Sequence, residues 1–201
     1  MRLYNELLHP LSGIKLLAQG DARGLSSFDI SDDGLIRSFR AILFCLPVII
    51  FYAINHRVEY LTHFPDLQRS HAIFIFQTLV VEASSWFFSV LSVVLAGFLL
   101  DIRPLIRLLI VILNWATVPL LYAAAPVAFL LPMLEPPFPF DVLLAALIIL
   151  CCVALLVFTW RVFHTVIGGP KWKRVAFLLL ICLPPIVIVR ILESSMRLTI
   201  P

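Results

Sequence analysis

Hydrophobic residues fall into five long apolar stretches along this chain, separated by short polar or charged segments. The stretches cover residues 35–54, 72–100, 108–131, 142–160 and 175–193. A helix needs roughly twenty apolar residues to cross the hydrocarbon core of a bilayer. Because lipid supplies no hydrogen-bond partners, an irregular backbone does not cross it. The pattern therefore predicts an all-α integral membrane helical bundle with five transmembrane helices, which together form one domain over residues 35–193.

The more polar N-terminal segment, residues 1–34, contains leucine and isoleucine at the spacing of an amphipathic helix. This predicts a cytoplasmic helix lying on the membrane surface, although Pro10 and Gly13 weaken its middle. Thirty-four residues are too few to bury a core of their own, which argues against a separate soluble domain. At the other end of the chain, residues 194–201 are predicted to be a short tail.

The first span has a short apolar part, because Ala41 to Ile54 covers only fourteen residues. Ser31 is a candidate N-cap for the helix that enters it, since Asp32 and Asp33 follow in the first turn, where the helix dipole favours acids. To cross, the helix must include residues that precede Ala41. A tilted or re-entrant helix is the alternative.

The segments between the spans contain residues that predict loops and turns. Residues 55–70 are predicted to be a loop. Its two histidines, His56 and His63, and the following His71 are seven and eight residues apart, which matches no zinc motif. We interpret this segment as a solvated loop and predict no metal site. Residues 132–141 hold four prolines and are expected to be extended. Gly168 and Gly169, followed by Pro170, predict a turn.

The second span carries a polar stripe. Thr78, Glu82, Ser85, Ser89 and Ser92 recur at steps of four, three, four and three residues, so they share one helical face. A carboxyl group and several hydroxyls on one face need partners from protein or water. The stripe therefore predicts a face directed away from lipid.

A short turn around Arg103 makes spans two and three an antiparallel hairpin, in which depth can be counted outward from the turn. Ser92 and Asn114 each lie eleven residues from Arg103, and Glu82 and Tyr122 lie twenty-one and nineteen residues away. Depth thus allows Ser92 to pair with Asn114 and Glu82 with Tyr122. The resulting candidate intramembrane polar site consists of Glu82, Ser85, Ser89, Ser92, Asn114 and Tyr122. Glu82 is either an interfacial anchor or a functional carboxylate.

Two adjacent prolines, Pro184 and Pro185, lie in the middle of the fifth span. They remove two backbone donors, so they form a candidate helix break. Broken helices line binding cavities in some transporters. We favour a simple kink, because no acidic residue lies next to the two prolines.

Composition supports a membrane protein, because 62% of the residues are hydrophobic, only 13% are charged and mean hydropathy is +1.05. The net charge of +3 comes from basic residues scattered between apolar stretches, a distribution that argues against nucleic-acid binding. All four cysteines lie in apolar runs, which argues against disulfides and zinc. We find no catalytic or phosphate-binding motif and no histidine pair inside a span, so we predict no enzyme activity and no cofactor.

The distribution of lysine and arginine predicts the orientation. With five spans, eleven basic residues fall on the side of the N-terminus and four on the other side. The eleven are Arg2, Lys15, Arg23, Arg37, Arg40, Arg103, Arg107, Arg161, Lys171, Lys173 and Arg174, and the four are Arg57, Arg69, Arg190 and Arg197. By the positive-inside rule, the N-terminus is expected in the cytoplasm and the C-terminus outside.

The stretch FDISDDGLIRSFRAILFCLP at the entry to the first span, and the pair Asn114 and Trp115 in the third, resemble a group of small uncharacterised alphaproteobacterial inner-membrane proteins. The five-span layout with a cytoplasmic N-terminus is also similar to that of the Yip family, which is associated with membrane trafficking. The resemblance implies a multi-pass protein of the bacterial inner membrane.

These patterns lead to a non-enzymatic accessory, assembly or membrane-organising role as the expected function. The expected partners are the lipid bilayer and other membrane proteins or a second copy of the chain. The alternative is a small transporter or channel component that uses the polar face of span two.

Overall fold

The computed structural model describes residues 2–64, 70–130 and 139–198, and these contain helices and no strand. Seven α-helices follow one another: α1 (Arg2–Ala18), α2 (Asp32–Ser38), α3 (Ala41–His63), α4 (His71–Leu99), α5 (Ile106–Leu130), α6 (Pro139–Ile167) and α7 (Lys171–Ser195). Short 3₁₀ helices cover Ala22–Ser27 and Arg103–Leu105. Five segments are long and apolar enough to cross a membrane, which confirms the all-α fold class with five candidate spans.

The contacts of the chain group it into two compact units. The first unit contains Met1–Cys45 and Arg107–Arg174, and the second contains Leu46–Ile106 and Val175–Pro201. The division runs through α3, so it follows neither the predicted boundary at residue 34 nor the order of the spans.

The start of the first span follows the sequence closely. The Ser31 hydroxyl accepts a hydrogen bond from the Gly34 N–H at 3.1 Å, and two acids occupy the first turn of α2, so the predicted cap is confirmed. α2 and α3 are joined through Phe39 and Arg40, whose backbone N–H groups bond carbonyls three residues back. Asp32–His63 is thereby long enough to cross the membrane.

In the first unit, α1 packs against α6 and against the 3₁₀ helix that follows it. Ile14 and Leu17 are almost completely buried. Gly13 on α1 and Gly24 on the 3₁₀ helix lie where these elements approach closely. A Cβ atom on Gly13 would lie 2.7 Å from the Ser27 Cβ, and one on Gly24 would lie 2.6 Å from the Gly13 carbonyl oxygen. α1 continues through both Pro10 and Gly13. The part of this helix that these residues were expected to weaken is therefore helical, and at Gly13 it contacts the 3₁₀ helix.

In the second unit, a small core forms around Tyr60, Phe74, Val81 and Leu198. Leu198 reaches this core because α7 ends in a Schellman turn: Arg197 adopts φ +54°, and the Leu198 N–H bonds the Glu193 carbonyl at 2.8 Å. The end of α4 has the same geometry. There Asp101 adopts φ +54°, and the Ile102 N–H bonds the Gly97 carbonyl at 2.9 Å.

Two predicted boundaries were wrong. Residues 55–63 were assigned to a loop, but α3 continues to His63, because Ala53, Arg57 and Tyr60 occupy one buried helical face. α6 likewise extends past residue 160 to Ile167, so the predicted turn at Gly168 and Gly169, which have positive φ, begins at its end. Residues 131–138 of the predicted extended connection lie outside the described residues, and residues 139–141 are helical.

The candidate break at Pro184 and Pro185 is also corrected. α7 is one continuous helix from Lys171 to Ser195 with both prolines inside it. A proline removes only its own N–H from the helical ladder. Transmembrane helices tolerate this loss where small local adjustments satisfy the freed carbonyls.

Gly97 generates a stability prediction for the turn between α4 and α5. A Cβ atom at this position would overlap Cγ1 and Cδ1 of Ile106, a stiff β-branched side chain. We expect Gly97→Ala to lower the free energy of unfolding by about 1–3 kcal/mol, despite the better helix propensity of alanine. Thermal unfolding in detergent measures the effect. Gly97→Ala combined with Ile106→Ala should cost less than the two single changes added together, whereas additive losses would contradict the overlap.

Candidate functional site

Asn114 belongs to the first unit and is fully buried. Its side-chain amide donates a hydrogen bond to the Ser38 hydroxyl at 2.9 Å, and this hydroxyl in turn donates to the Leu35 carbonyl at 2.7 Å. The bond joins α5 to the last residue of α2. The proposed partner from the sequence was Ser92, which is also buried but belongs to the second unit. Ser38 was missed, although a serine next to the first span was a visible signal.

Tyr122, the other predicted site residue on α5, is 48% exposed. Its hydroxyl donates a hydrogen bond to the Phe44 carbonyl at 3.1 Å within the first unit. A phenol has a single proton to donate. This proton is used in the bond to Phe44, so the Tyr122 hydroxyl does not donate to Glu82, the partner that depth in the hairpin allowed.

Two hydroxyls of the polar stripe on α4 are satisfied within their own helix. Thr78 donates to the Phe74 carbonyl at 3.1 Å, and Ser89 donates to the Ser85 carbonyl at 2.9 Å. Such bonds to the carbonyl four residues earlier let a hydroxyl reside in a span without a partner helix. Ser92 and Thr78 are buried, whereas Ser85 and Ser89 are half-buried. The burial of the stripe therefore varies along α4, and the face is not uniformly buried.

Glu82 is half-buried and lies within electrostatic range of a second acid, Glu193 on α7. Tyr52 on α3 is within range of both carboxyl groups and of Arg190. Arg190 forms an ion pair with Glu193 at 3.5 Å, and the Glu193 side chain is only 15% exposed. Glu82 thus lies near groups from two other helices of the second unit, Tyr52 on α3 and Glu193 on α7. Sequence reasoning missed Glu193, the acid at the end of span five.

Arg57 is a further residue that the sequence analysis assigned to a solvated loop but the structure buries. Its guanidinium carbon lies 4.9 Å from the centre of the Phe74 ring and 5.8 Å from that of Tyr60. The Nε–H group points at Nδ1 of His71 at 3.5 Å. Aromatic faces attract a guanidinium, which explains how a cation fits into this core. Across the described ranges, no three His, Cys, Asp or Glu side chains group to hold a metal ion.

A cleft of about 180 Å³ lies between α1, α2 and α5 of the first unit, next to Trp115. His9 Nδ1 donates to the Ser27 carbonyl at 3.0 Å, because a carbonyl can only accept. Arg37 forms an ion pair with Asp29. Hydrogen bonds from Ser31, together with Arg37, hold the pKa of Asp29 below its usual value. His9 and Arg37 thus bond to other residues of the cleft wall. We interpret the cleft as a packing contact of the N-terminal helices and not as a binding site.

The bond between Asn114 and Ser38 generates the prediction of this site. Ser38→Ala removes the acceptor inside a buried environment, so we expect it to lower the free energy of unfolding by about 1–3 kcal/mol. Thermal unfolding in detergent measures the loss. Ser89→Ala is the matched control and should cost at most about 0.5 kcal/mol, because the Ser89 hydroxyl bonds only its own helix in the described contacts.

Replacing both partners separates the hydrogen bond from packing. Ser38→Ala with Asn114→Leu removes donor and acceptor together, so the double variant should recover part of the stability lost in Ser38→Ala. A Ser38→Ala variant that is no less stable than Ser89→Ala would show that the bond does not hold α2 to α5.

Comparison of the chain with protein-family models, with curated proteins and with solved structures finds no match.

Proposed function

We propose that this chain is a multi-pass protein of the bacterial inner membrane with a non-enzymatic accessory, assembly or membrane-organising role. In this proposal, its exposed helix faces bind another membrane protein or a second copy of the chain. The N-terminus lies in the cytoplasm and the C-terminus outside. The five-span layout that is similar to the Yip family is compatible with such a role.

The low burial of two spans is the observation that carries the proposal. Only 17% of the apolar window is buried in each of α6 and α7, compared with 44% in α5. Leu150 and Leu156 on α6 are 64% and 71% exposed, and Ile191 on α7 is 61% exposed. Lipid can cover such faces, but so can the helices of a partner. Two spans with so few contacts of their own offer more surface for a partner than α5 does.

The hydrogen bonding of the polar residues in the spans also supports a role in assembly. Thr117 and Thr159 donate to carbonyls four residues earlier, as Thr78 and Ser89 do. Hydroxyls bonded in this way remain able to accept a hydrogen bond from a neighbouring helix. Interhelical bonds of this type help to join membrane helices.

The proposal predicts that the protein purifies with a stoichiometric membrane partner or as a homo-oligomer. Mild-detergent purification followed by mass spectrometry of the intact complexes measures this. We expect Leu156→Ala on α6 to reduce the bound fraction, because it removes contact area from the proposed binding face. Phe87→Ala on α4, which changes a side chain of similar exposure at 64%, is the control and should leave the complex intact. A monomer with lipids alone would refute the assembly role.

A small transporter or channel component is the second candidate function. The grouping of Glu82 with Glu193, Tyr52 and Arg190 favours it, because intramembrane acids commonly mark ion or substrate pathways. In this candidate function, the paired acids would attract a cation, and Arg190 would compete with that cation for Glu193.

Glu82→Gln tests this second function, because glutamine keeps the shape and an acceptor oxygen while it removes the charge. We expect normal membrane levels and at least a tenfold loss of solute or ion flux in liposomes. Asp33→Asn, which changes an exposed acid in the first turn of α2, is the control and should transport normally. Wild-type flux in Glu82→Gln, or no flux in any of the proteins, would remove the transport candidate.

A further inference from the structure

A second cleft, of about 320 Å³, lies in the first unit between the end of α1 and the last two turns of α6. It is lined by Gln19, Gly20, Trp160, Arg161, His164 and Thr165. The Thr165 hydroxyl contacts the Leu17 carbonyl at 3.3 Å and so fixes the end of α1 against α6. Gly20, with φ +84°, ends α1 in a Schellman turn and brings its backbone to the rim of the cleft.

The walls of this cleft offer hydrogen-bond donors and positive charge. Arg161 contributes an exposed guanidinium, and Gln19 and His164 contribute an amide and an imidazole. None of the six lining residues is acidic. Asp21 follows the rim in sequence, but Arg23 binds its carboxylate at 2.6 Å and lowers its pKa. The nearby acid is thus already neutralised by a cation of its own.

A buried cation lies directly behind one wall. The Arg174 guanidinium carbon is 6.0 Å from the centre of the Trp160 ring, and the other neighbour of this ring is the His164 imidazole at 6.1 Å. Arg174 is 7% exposed, and within residues 2–64, 70–130 and 139–198 its Nε–H has no hydrogen-bond acceptor. A buried charge with an unbonded donor is costly. Because screening is weak there, Arg174 adds to the positive potential at the cleft.

The cleft lies at one end of a candidate span. Trp160 and Arg161 are in the last part of the segment Ala145–Ile167, and the ends of a membrane-crossing helix lie near the lipid headgroups. Tryptophan is enriched at this boundary, because its ring is apolar and its N–H is a donor. Lys171 and Lys173 follow at the start of α7 and add charge at the same end of α6.

We propose that this cleft binds the phosphate group of an anionic membrane lipid. Arg161 and His164 contact the phosphate oxygens, and the Gln19 amide provides a further donor. Trp160 packs against the glycerol and the upper acyl chain. The proposal rests on the polar residues of the cleft and not on the exposed leucines of α6, so Arg161→Gln and Leu156→Ala test the two roles separately.

Native mass spectrometry of the full chain in a non-ionic detergent tests the proposal. The protein is titrated with phosphatidylglycerol and, separately, with zwitterionic phosphatidylcholine. We expect one tightly retained phosphatidylglycerol, with binding about fivefold weaker in Arg161→Gln, the loss expected for one basic residue near an anionic lipid. Arg161→Lys, which keeps the charge, should retain most of the affinity.

Arg103→Gln is the matched control, because Arg103 is an exposed arginine at the end of another span. It should bind phosphatidylglycerol as the wild type does, and so should a wild-type sample that contains millimolar glycerol 3-phosphate. Equal weakening in Arg103→Gln would indicate general surface charge and overturn the site. Displacement of the lipid by glycerol 3-phosphate would show a site for free phosphate compounds and overturn the lipid assignment.

Discussion

The lack of hydrogen-bond partners in lipid is the constraint on which this structure depends. It explains the continuous helices, and it also determines where each polar side chain points. Thr78 and Ser89 bond the carbonyls of their own helix, whereas Asn114, whose amide needs more partners than one helix can offer, is fully buried against Ser38. The polar residues are therefore placed by what can satisfy them. The Asn114 amide and the Tyr122 and Thr165 hydroxyls bond to other helices, whereas Thr78 and Ser89 bond within their own.

Close backbone approach is the second organising feature. Glycine lowers helix stability by about 1 kcal/mol relative to alanine, so its presence inside a helix needs a compensating contact. Gly13 and Gly24 provide that contact where α1 meets the following 3₁₀ helix, and Gly97 provides it where Ile106 packs on α4. In each case a methyl group would fill the space that the neighbour occupies. The N-terminal helix is thereby attached to the protein and does not depend on lipid alone for its apolar face.

Aromatic rings accommodate the buried arginines at both of the described sites. Arg57 lies over Phe74 in the second unit, and Arg174 lies beside Trp160 in the first. A guanidinium holds its charge at any physiological pH, so its burial requires a ring face, an acceptor or an anion. At Arg174 the ring is Trp160, which also lines the proposed lipid cleft, so the same packing that buries the arginine places its positive charge near the phosphate site. The second unit carries the acids Glu82 and Glu193, which would attract a cation and not a phosphate group.

The sequence by itself determined the five helices and the cap at Ser31, because length, apolar composition and capping are local properties. It did not predict that α3 reaches His63 or that α7 continues through Pro184, because neighbouring helices or core contacts stabilise these segments. The partner of Asn114 also came only from the tertiary structure. Helical periodicity gives the face on which a side chain lies, but not which of several helices that face meets. Ser38 lies 76 residues away in the chain, so only packing brings the two together.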